Sequence, residues 1–134
     1  MILVLGGTSD SLEICDRINK YEDLPYTLSV TTSYGEDLAR RHAKNVITGK
    51  LTKEDMVRFI EKNNINKIID ATHPYAIEVS KNAIQCAKEL NIDYLRYERK
   101  SLIEDISYEN KYIVSSIEDA CKIAKEKGRN IFIG

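Results

Sequence analysis

Met1-Ile2-Leu3-Val4-Leu5-Gly6-Gly7-Thr8-Ser9-Asp10-Ser11-Leu12-Glu13 is the stretch on which the reading of this chain turns. Residues 1–5 are an unbroken apolar run of strand length, the pattern of a strand buried on both faces. Gly6 to Asp10 break that run, with Ser9 or Asp10 placed to cap a helix, and residues 11–18 resume with apolar side chains at helical spacing. Strand, glycine turn and helix make the front half of a nucleotide-binding β-α-β unit. Glycine allows the tight turn and carries no Cβ to block a phosphate, while the first helical N–H groups point into the space left open. The fingerprint is incomplete, because two adjacent glycines satisfy no frame of G-x-G-x-x-G. The same residues also read as a plain strand-to-helix turn that binds nothing. A helix dipole contributes only ~1–2 kcal/mol, whereas micromolar binding needs roughly 8 kcal/mol, so other parts of the chain must supply the rest.

Working outward, Pro25 restarts the chain and residues 26–31 alternate as a second strand that runs into Thr31-Thr32-Ser33-Tyr34-Gly35. An NAD site carries an Asp or Glu at this point to hold the ribose 2′-OH. Here hydroxyl groups occupy the turn, and Arg40 and Arg41 follow one or two helical turns later, a combination that points to NADP. The competing reading makes Thr32 or Ser33 the cap of a short helix from Gly35 to His42, with both arginines solvated. Residues 45–48 form a short third strand closed by Gly49. Thr52 and Asp55 have capping-box spacing ahead of a helix whose apolar face is Met56, Val57, Phe59 and Ile60.

A fourth strand over residues 67–71 leads into Asp70-Ala71-Thr72-His73-Pro74-Tyr75-Ala76. Pro74 suits the first position of a helix, and Ala76, Ser80, Ala83, Ile84, Ala87 and Leu90 line one face of it. Residues 92–97 are a fifth strand, 101–111 a loop and 112–114 a sixth strand. Ser115 or Ser116 caps a helix through Lys127 that Gly128 ends, and residues 130–134 are a seventh strand. This alternation predicts an α/β fold, a doubly wound and mostly parallel Rossmann-like sheet in three layers, with strand order 3-2-1-4-5. Residues 1–134 then form one nucleotide-binding domain.

Charges are plentiful and nearly balanced, with a net charge of −1, so nothing marks the chain as a polyanion binder or a membrane-surface protein, and no nucleic-acid partner is expected. No apolar run approaches the ~20 residues of a membrane span, and the first residues lack the basic leader of a signal peptide. Cys15, Cys86 and Cys121 are odd in number and far apart, and read as reduced, half-buried helix cysteines of a cytoplasmic protein. With only His42 and His73 to join them, no zinc spacing exists.

In open parallel sheets, ligands bind beyond the carboxyl ends of the strands where the strand order reverses. That rule places Gly6, Gly7, Thr8 and Ser9 opposite Thr72, His73, Pro74 and Tyr75 across one crevice. His73 has two readings, a residue that merely leads into the Pro74 helix or a polar group able to position substrate and deliver a proton near neutral pH. Asp70, at the end of a buried strand, reads as a structural acceptor of nearby N–H groups. Arg96 and Arg99, at the end of the fifth strand, are placed to meet an anion through bidentate bonds, or to pair with acids of their own chain. The chain has no Tyr-x-x-x-Lys pair and no serine or cysteine in a nucleophile motif.

Residues 5–11 (Leu-Gly-Gly-Thr-Ser-Asp-Ser), 70–76 (Asp-Ala-Thr-His-Pro-Tyr-Ala) and 95–99 (Leu-Arg-Tyr-Glu-Arg) together resemble the precorrin-6A reductase family of the cobalamin pathway, including its cobalt-precorrin form. The resemblance implies reduction of one double bond of an anionic, tetrapyrrole-derived macrocycle by NADPH or NADH. It places Gly6, Gly7, Thr8 and Ser9 at the pyrophosphate, Thr32 and Ser33 near the adenosine ribose, and Thr72, His73 and Tyr75 near the nicotinamide. His73 and Tyr75 are its candidates for catalysis, and Arg96 and Arg99 would meet the substrate carboxylates. It also implies a second domain after residue 134. A non-catalytic nucleotide-binding module and a methyltransferase-like fold for S-adenosylmethionine are the competing classes; the second is disfavoured because residues 31–33 lack the acid that such sites carry.

Overall fold

Alternate residues of the first strand face opposite sides of the molecule, and both sides are covered. The computed structural model describes residues 1–21 and 24–97, and the backbone of residues 111–114. Strand β1 (Ile2–Leu5) turns Ile2 and Val4 toward helix α1 (Ser9–Ile18), where they pack with Ile14, Cys15 and Ile18. Leu3 and Leu5 point the other way, against Met56 and Ile60 of α3 (Lys53–Lys62) and Ala83, Cys86 and Ala87 of α4 (Ile77–Leu90). This two-sided burial is why the run contains no polar residue.

The remaining elements are β2 (Tyr26–Val30), α2 (Ser33–Ala39), β3 (Val46–Thr48), β4 (Lys67–Asp70), β5 (Asp93–Tyr97) and β6 (Lys111–Val114). All paired strands are parallel, in the order β3-β2-β1-β4-β5-β6, so the expected 3-2-1-4-5 order holds and β6 lies outside β5. Ile2 is in register with Tyr26 on one side and Lys67 on the other. The order therefore reverses at β1, and the chain leaves β1 and β4 at the same end of the sheet.

The expected capping box is present at α3, where Thr52 and Asp55 satisfy each other's backbone N–H groups. Three boundaries differ from expectation. Thr8, rather than Ser9 or Asp10, caps α1, and its partner three residues on is Ser11. Helix α2 starts at Ser33, two residues before the expected Gly35, and ends at Ala39 instead of reaching His42. Helix α4 begins at Ile77, because Pro74 sits in a turn closed by the Ala76 N–H donating to the His73 carbonyl (2.8 Å); proline favours the second position of such a turn as strongly as the first turn of a helix. Cys15 and Cys86 are fully buried thiols, not half-buried ones, and neither is in a disulfide. Cys121, the helix through Lys127 and the seventh strand lie outside the described residues. Among the described residues, no helix is long and apolar enough to cross a membrane.

Candidate functional site

The two glycines after β1 serve different ends. The Gly6 N–H continues the ladder to the Ser29 carbonyl (2.9 Å), and a Cβ on Gly6 would lie 2.6 Å from Leu28 Cδ1 and 2.9 Å from Ser11 Oγ. Gly6 is thus required by the close approach of α1 and β2. Gly7 has φ +100°, a conformation that favours glycine, and nothing lies within 4 Å of the position its Cβ would take, so the turn is open there. Thr8 Oγ1 accepts from the Ser11 N–H (3.1 Å) and donates to the Ala71 carbonyl (2.7 Å). Ser11 Oγ in turn donates to the Thr8 carbonyl (2.6 Å). The Thr8 side chain is consumed by the turn; Gly7 and Ser9 form its exposed edge.

Across from this turn, the Ala71 N–H donates to the Leu5 carbonyl (2.9 Å), so residues 5–8 and 71–72 run side by side. His73 follows, exposed. Its Nδ1 accepts from the Tyr75 N–H (3.2 Å), and the two rings lie 4.9 Å apart between centroids. With Nδ1 occupied as an acceptor, the neutral ring carries its proton on Nε2, as assigned from this hydrogen bond. Tyr75 is 85% exposed, and α4 begins immediately after with no side-chain cap at Ala76. The N-termini of α1 and α4 therefore lie at the same end of the sheet, beyond the carboxyl ends of β1 and β4, each attracting negative charge.

Beneath His73 lies Asp70, fully buried, with both oxygens saturated. Oδ1 accepts from the Thr72 N–H (3.1 Å), Thr72 Oγ1 (2.6 Å) and Arg96 Nη1 (2.9 Å); Oδ2 accepts from Ser80 Oγ (2.6 Å) and the Tyr94 hydroxyl (2.6 Å). Asp70 is the structural acceptor expected, with more side-chain donors than a strand-end acid requires. Burial, then the charge and hydrogen bond of Asp70, push the Tyr94 phenol far above its ordinary value. Arg96 is only 7% exposed and also donates to Thr72 Oγ1 (2.9 Å), so its guanidinium is engaged below the crevice where an open anion contact was expected. Arg99 lies outside the described residues. Tyr94 and Ser80 were missed in the sequence. The available signal was Tyr94-x-Arg96, two polar-tipped side chains on one face of a buried strand, with Arg96 in register beside Asp70.

At the end of β2, Thr32 Oγ1 accepts from the Gly35 N–H (3.0 Å) and Thr32 caps α2; Ser33 is the exposed first residue of the helix. The seven residues of α2 then carry the chain about 10 Å back along the sheet. Arg40 consequently borders a cavity with Met1, Lys44, Asn45 and Asn63, at the amino ends of the strands, and donates to Glu36. Arg40 is exposed with its guanidinium on Glu36 (2.9 Å), one helical turn back toward Thr32, and Arg41 is exposed.

The family model described as precorrin-6x reductase CbiJ/CobK matches residues 1–134. The cobalt-precorrin-6A reductase of Methanocaldococcus jannaschii is 43% identical over 128 residues, covering 96% of this chain and 51% of that protein. The enzyme of the same name from Priestia megaterium is 44% identical over 128 residues, covering 95% and 49%. Among solved structures, a CobK precorrin-6A reductase superposes with TM-score 0.63 at 21% identity over 78% of this chain and 39% of its own. An apo saccharopine dehydrogenase from Saccharomyces cerevisiae gives 0.60 at 13% identity over 76% and 22%. At these identities the superpositions establish the fold alone. The chain spans about half the length of the curated relatives it matches.

Proposed function

Because the chain belongs to the precorrin-6x reductase CbiJ/CobK family, we propose that it forms the nucleotide-binding domain of a nicotinamide-dependent reductase acting on a double bond of precorrin-6A or its cobalt form. The observation that supports this reading is the junction of residues 5–8 with residues 71–72 at the reversal point of the sheet, so that Gly7 and His73 follow adjacent strands at the same end of the sheet. The residues present fit a dinucleotide: the edge at Gly7 is unfilled, two helix N-termini lie at that end of the sheet, and no carboxylate stands at residues 31–33 to repel a 2′-phosphate.

A reduced nicotinamide supplies the hydride when bound. Gly6 and Thr8 shape the first turn, and Gly7 and Ser9 line its open edge toward the pyrophosphate. Thr32 and Ser33 border the adenosine ribose; NADPH is the favoured cofactor and NADH the other candidate. His73 offers an Nε2–H donor that would orient an acceptor oxygen of the substrate; proton delivery would require the imidazolium, whose Nδ1–H can no longer accept from the Tyr75 N–H. Tyr75 packs on the imidazole and presents its ring to the opening. Arg99 is assigned to the carboxylates of the macrocycle, and Arg96 to the support of Thr72.

Thermal melting with NADPH, NADH and S-adenosylmethionine tests the reading on this chain. A nicotinamide nucleotide at ten times its Kd is expected to stabilise by about 1.4 kcal/mol. Stabilisation by S-adenosylmethionine alone, or by none of the three, contradicts it.

A further inference from the structure

The buried pair Asp70–Arg96 is placed where an ion pair contributes little to stability. Removing two charges from water costs several kcal/mol per ion, and apolar residues of similar volume commonly fold as well or better. What a buried ionic network supplies instead is direction, since each donor must meet its acceptor along a fixed line. The direction here is set for Thr72. Its hydroxyl donates to Asp70 and accepts from Arg96, and its N–H donates to Asp70 as well. The preceding residue is held equally tightly, with the Ala71 N–H on Leu5 and the Ala71 carbonyl receiving Thr8 Oγ1. His73 is the first exposed side chain after these pinned residues, and its ring closes on the Tyr75 N–H.

We propose that Asp70 and Arg96, completed by Tyr94 and Ser80, are a positioning network that clamps Thr72 and thereby holds the His73–Tyr75 turn in the geometry that presents imidazole Nε2–H to the crevice. Three elements converge on one carboxylate for this purpose: α4 through Ser80, β5 through Tyr94 and Arg96, and the turn itself through Thr72. Thr72, only 8% exposed and committed to Asp70 and Arg96, is accordingly a positioning residue. The inference deepens the reading of the preceding subsection and rests on it for the reaction, but the geometry it asserts exists without nucleotide.

The test follows the turn by nuclear magnetic resonance in the nucleotide-free chain. The wild-type protein is expected to show ring-to-ring cross-peaks between His73 and Tyr75 and a single Nε2–H tautomer of His73. Thr72→Val removes the hydroxyl's bonds to Asp70, Arg96 and Ser80 at nearly constant shape and is expected to abolish the cross-peaks and mix the tautomers. Thr72→Ser is expected to restore both, and His42, at the far end of the sheet, is expected to be unchanged throughout. If Thr72→Val fails to fold, Tyr94→Phe and Ser80→Ala each remove one donor and are expected to weaken the cross-peaks. Unaltered His73 signals in the folded variants overturn the proposal. Binding of NADPH, measured separately, distinguishes the two claims: altered His73 signals in a protein that never binds nucleotide leave the clamp standing and remove the reductase reading.

Discussion

The Thr8 hydroxyl donates a 2.7 Å hydrogen bond to the Ala71 carbonyl, across 63 residues of sequence. One side chain thus caps α1 and fastens the turn after β1 to the segment after β4. Every functional assignment made for the crevice depends on that fastening.

Loss of the Thr8 hydroxyl removes a helix cap and a cross-turn bond together. Thr8→Val is expected to lower the unfolding free energy by about 2 kcal/mol, and Thr8→Ser by much less. Urea titration with an unchanged m-value checks this.

Gly7 and Gly6 are expected to respond differently to substitution. At φ +100°, any side chain on Gly7 is strained by about 1–2 kcal/mol, and a branched one also fills the open edge. Gly7→Val is expected to abolish nucleotide-dependent stabilisation while leaving the circular dichroism spectrum intact. Gly6→Ala drives a methyl group against Leu28 and Ser11 and is expected to destabilise by about 1–3 kcal/mol with nucleotide binding retained in the folded fraction.

Arg96 offers a third comparison. Arg96→Met leaves the Asp70 carboxylate buried without its cation and is expected to cost about 3–5 kcal/mol. Asp70→Leu combined with Arg96→Met removes both charges but leaves the Thr72 N–H and the Ser80 and Tyr94 hydroxyls without their acceptor, so it is expected to recover only part of that loss. A double-mutant cycle on denaturant midpoints reads the coupling.

Alkaline pH acts through Tyr94. Burial and the Asp70 carboxylate hold its phenol protonated at pH values where the unfolded phenol ionises. Unfolding therefore releases a proton above about pH 10. The contribution is complete below that value and falls as pH rises past it. Tyr94→Phe is expected to flatten the decline in melting temperature above pH 10, with a residual slope from Tyr26, whose phenol burial also pushes upward.

The strand order and the crevice were legible because they rest on period and punctuation: an all-apolar β1, glycines after it, and helices long enough to cross over. Thr52 and Asp55 were legible for the same reason, as a local pattern acting over three residues. The Asp70 network was only half legible, since its donors come from positions 72, 80, 94 and 96 and meet through strand register and helix phase. Arg40 shows a second limit: spacing places it a turn or two beyond Thr32, but the pairing of its guanidinium with Glu36 is seen only in the structure. The start of α4 was misplaced because Pro74 is compatible with both a helix entry and a turn, and the His73 ring, by accepting the Tyr75 N–H, favours the turn.

The central claim, that the Gly7 turn and the His73 turn border one nucleotide site, is tested most directly by amide chemical shifts during an NADPH titration. Gly7 and Ser9 on one turn, and His73 and Tyr75 on the other, are expected to shift together along one binding curve, while Asn45 and Asn63 at the amino ends of the strands stay fixed. Shifts confined to one turn, or centred on Arg40 and Asn45, would contradict it.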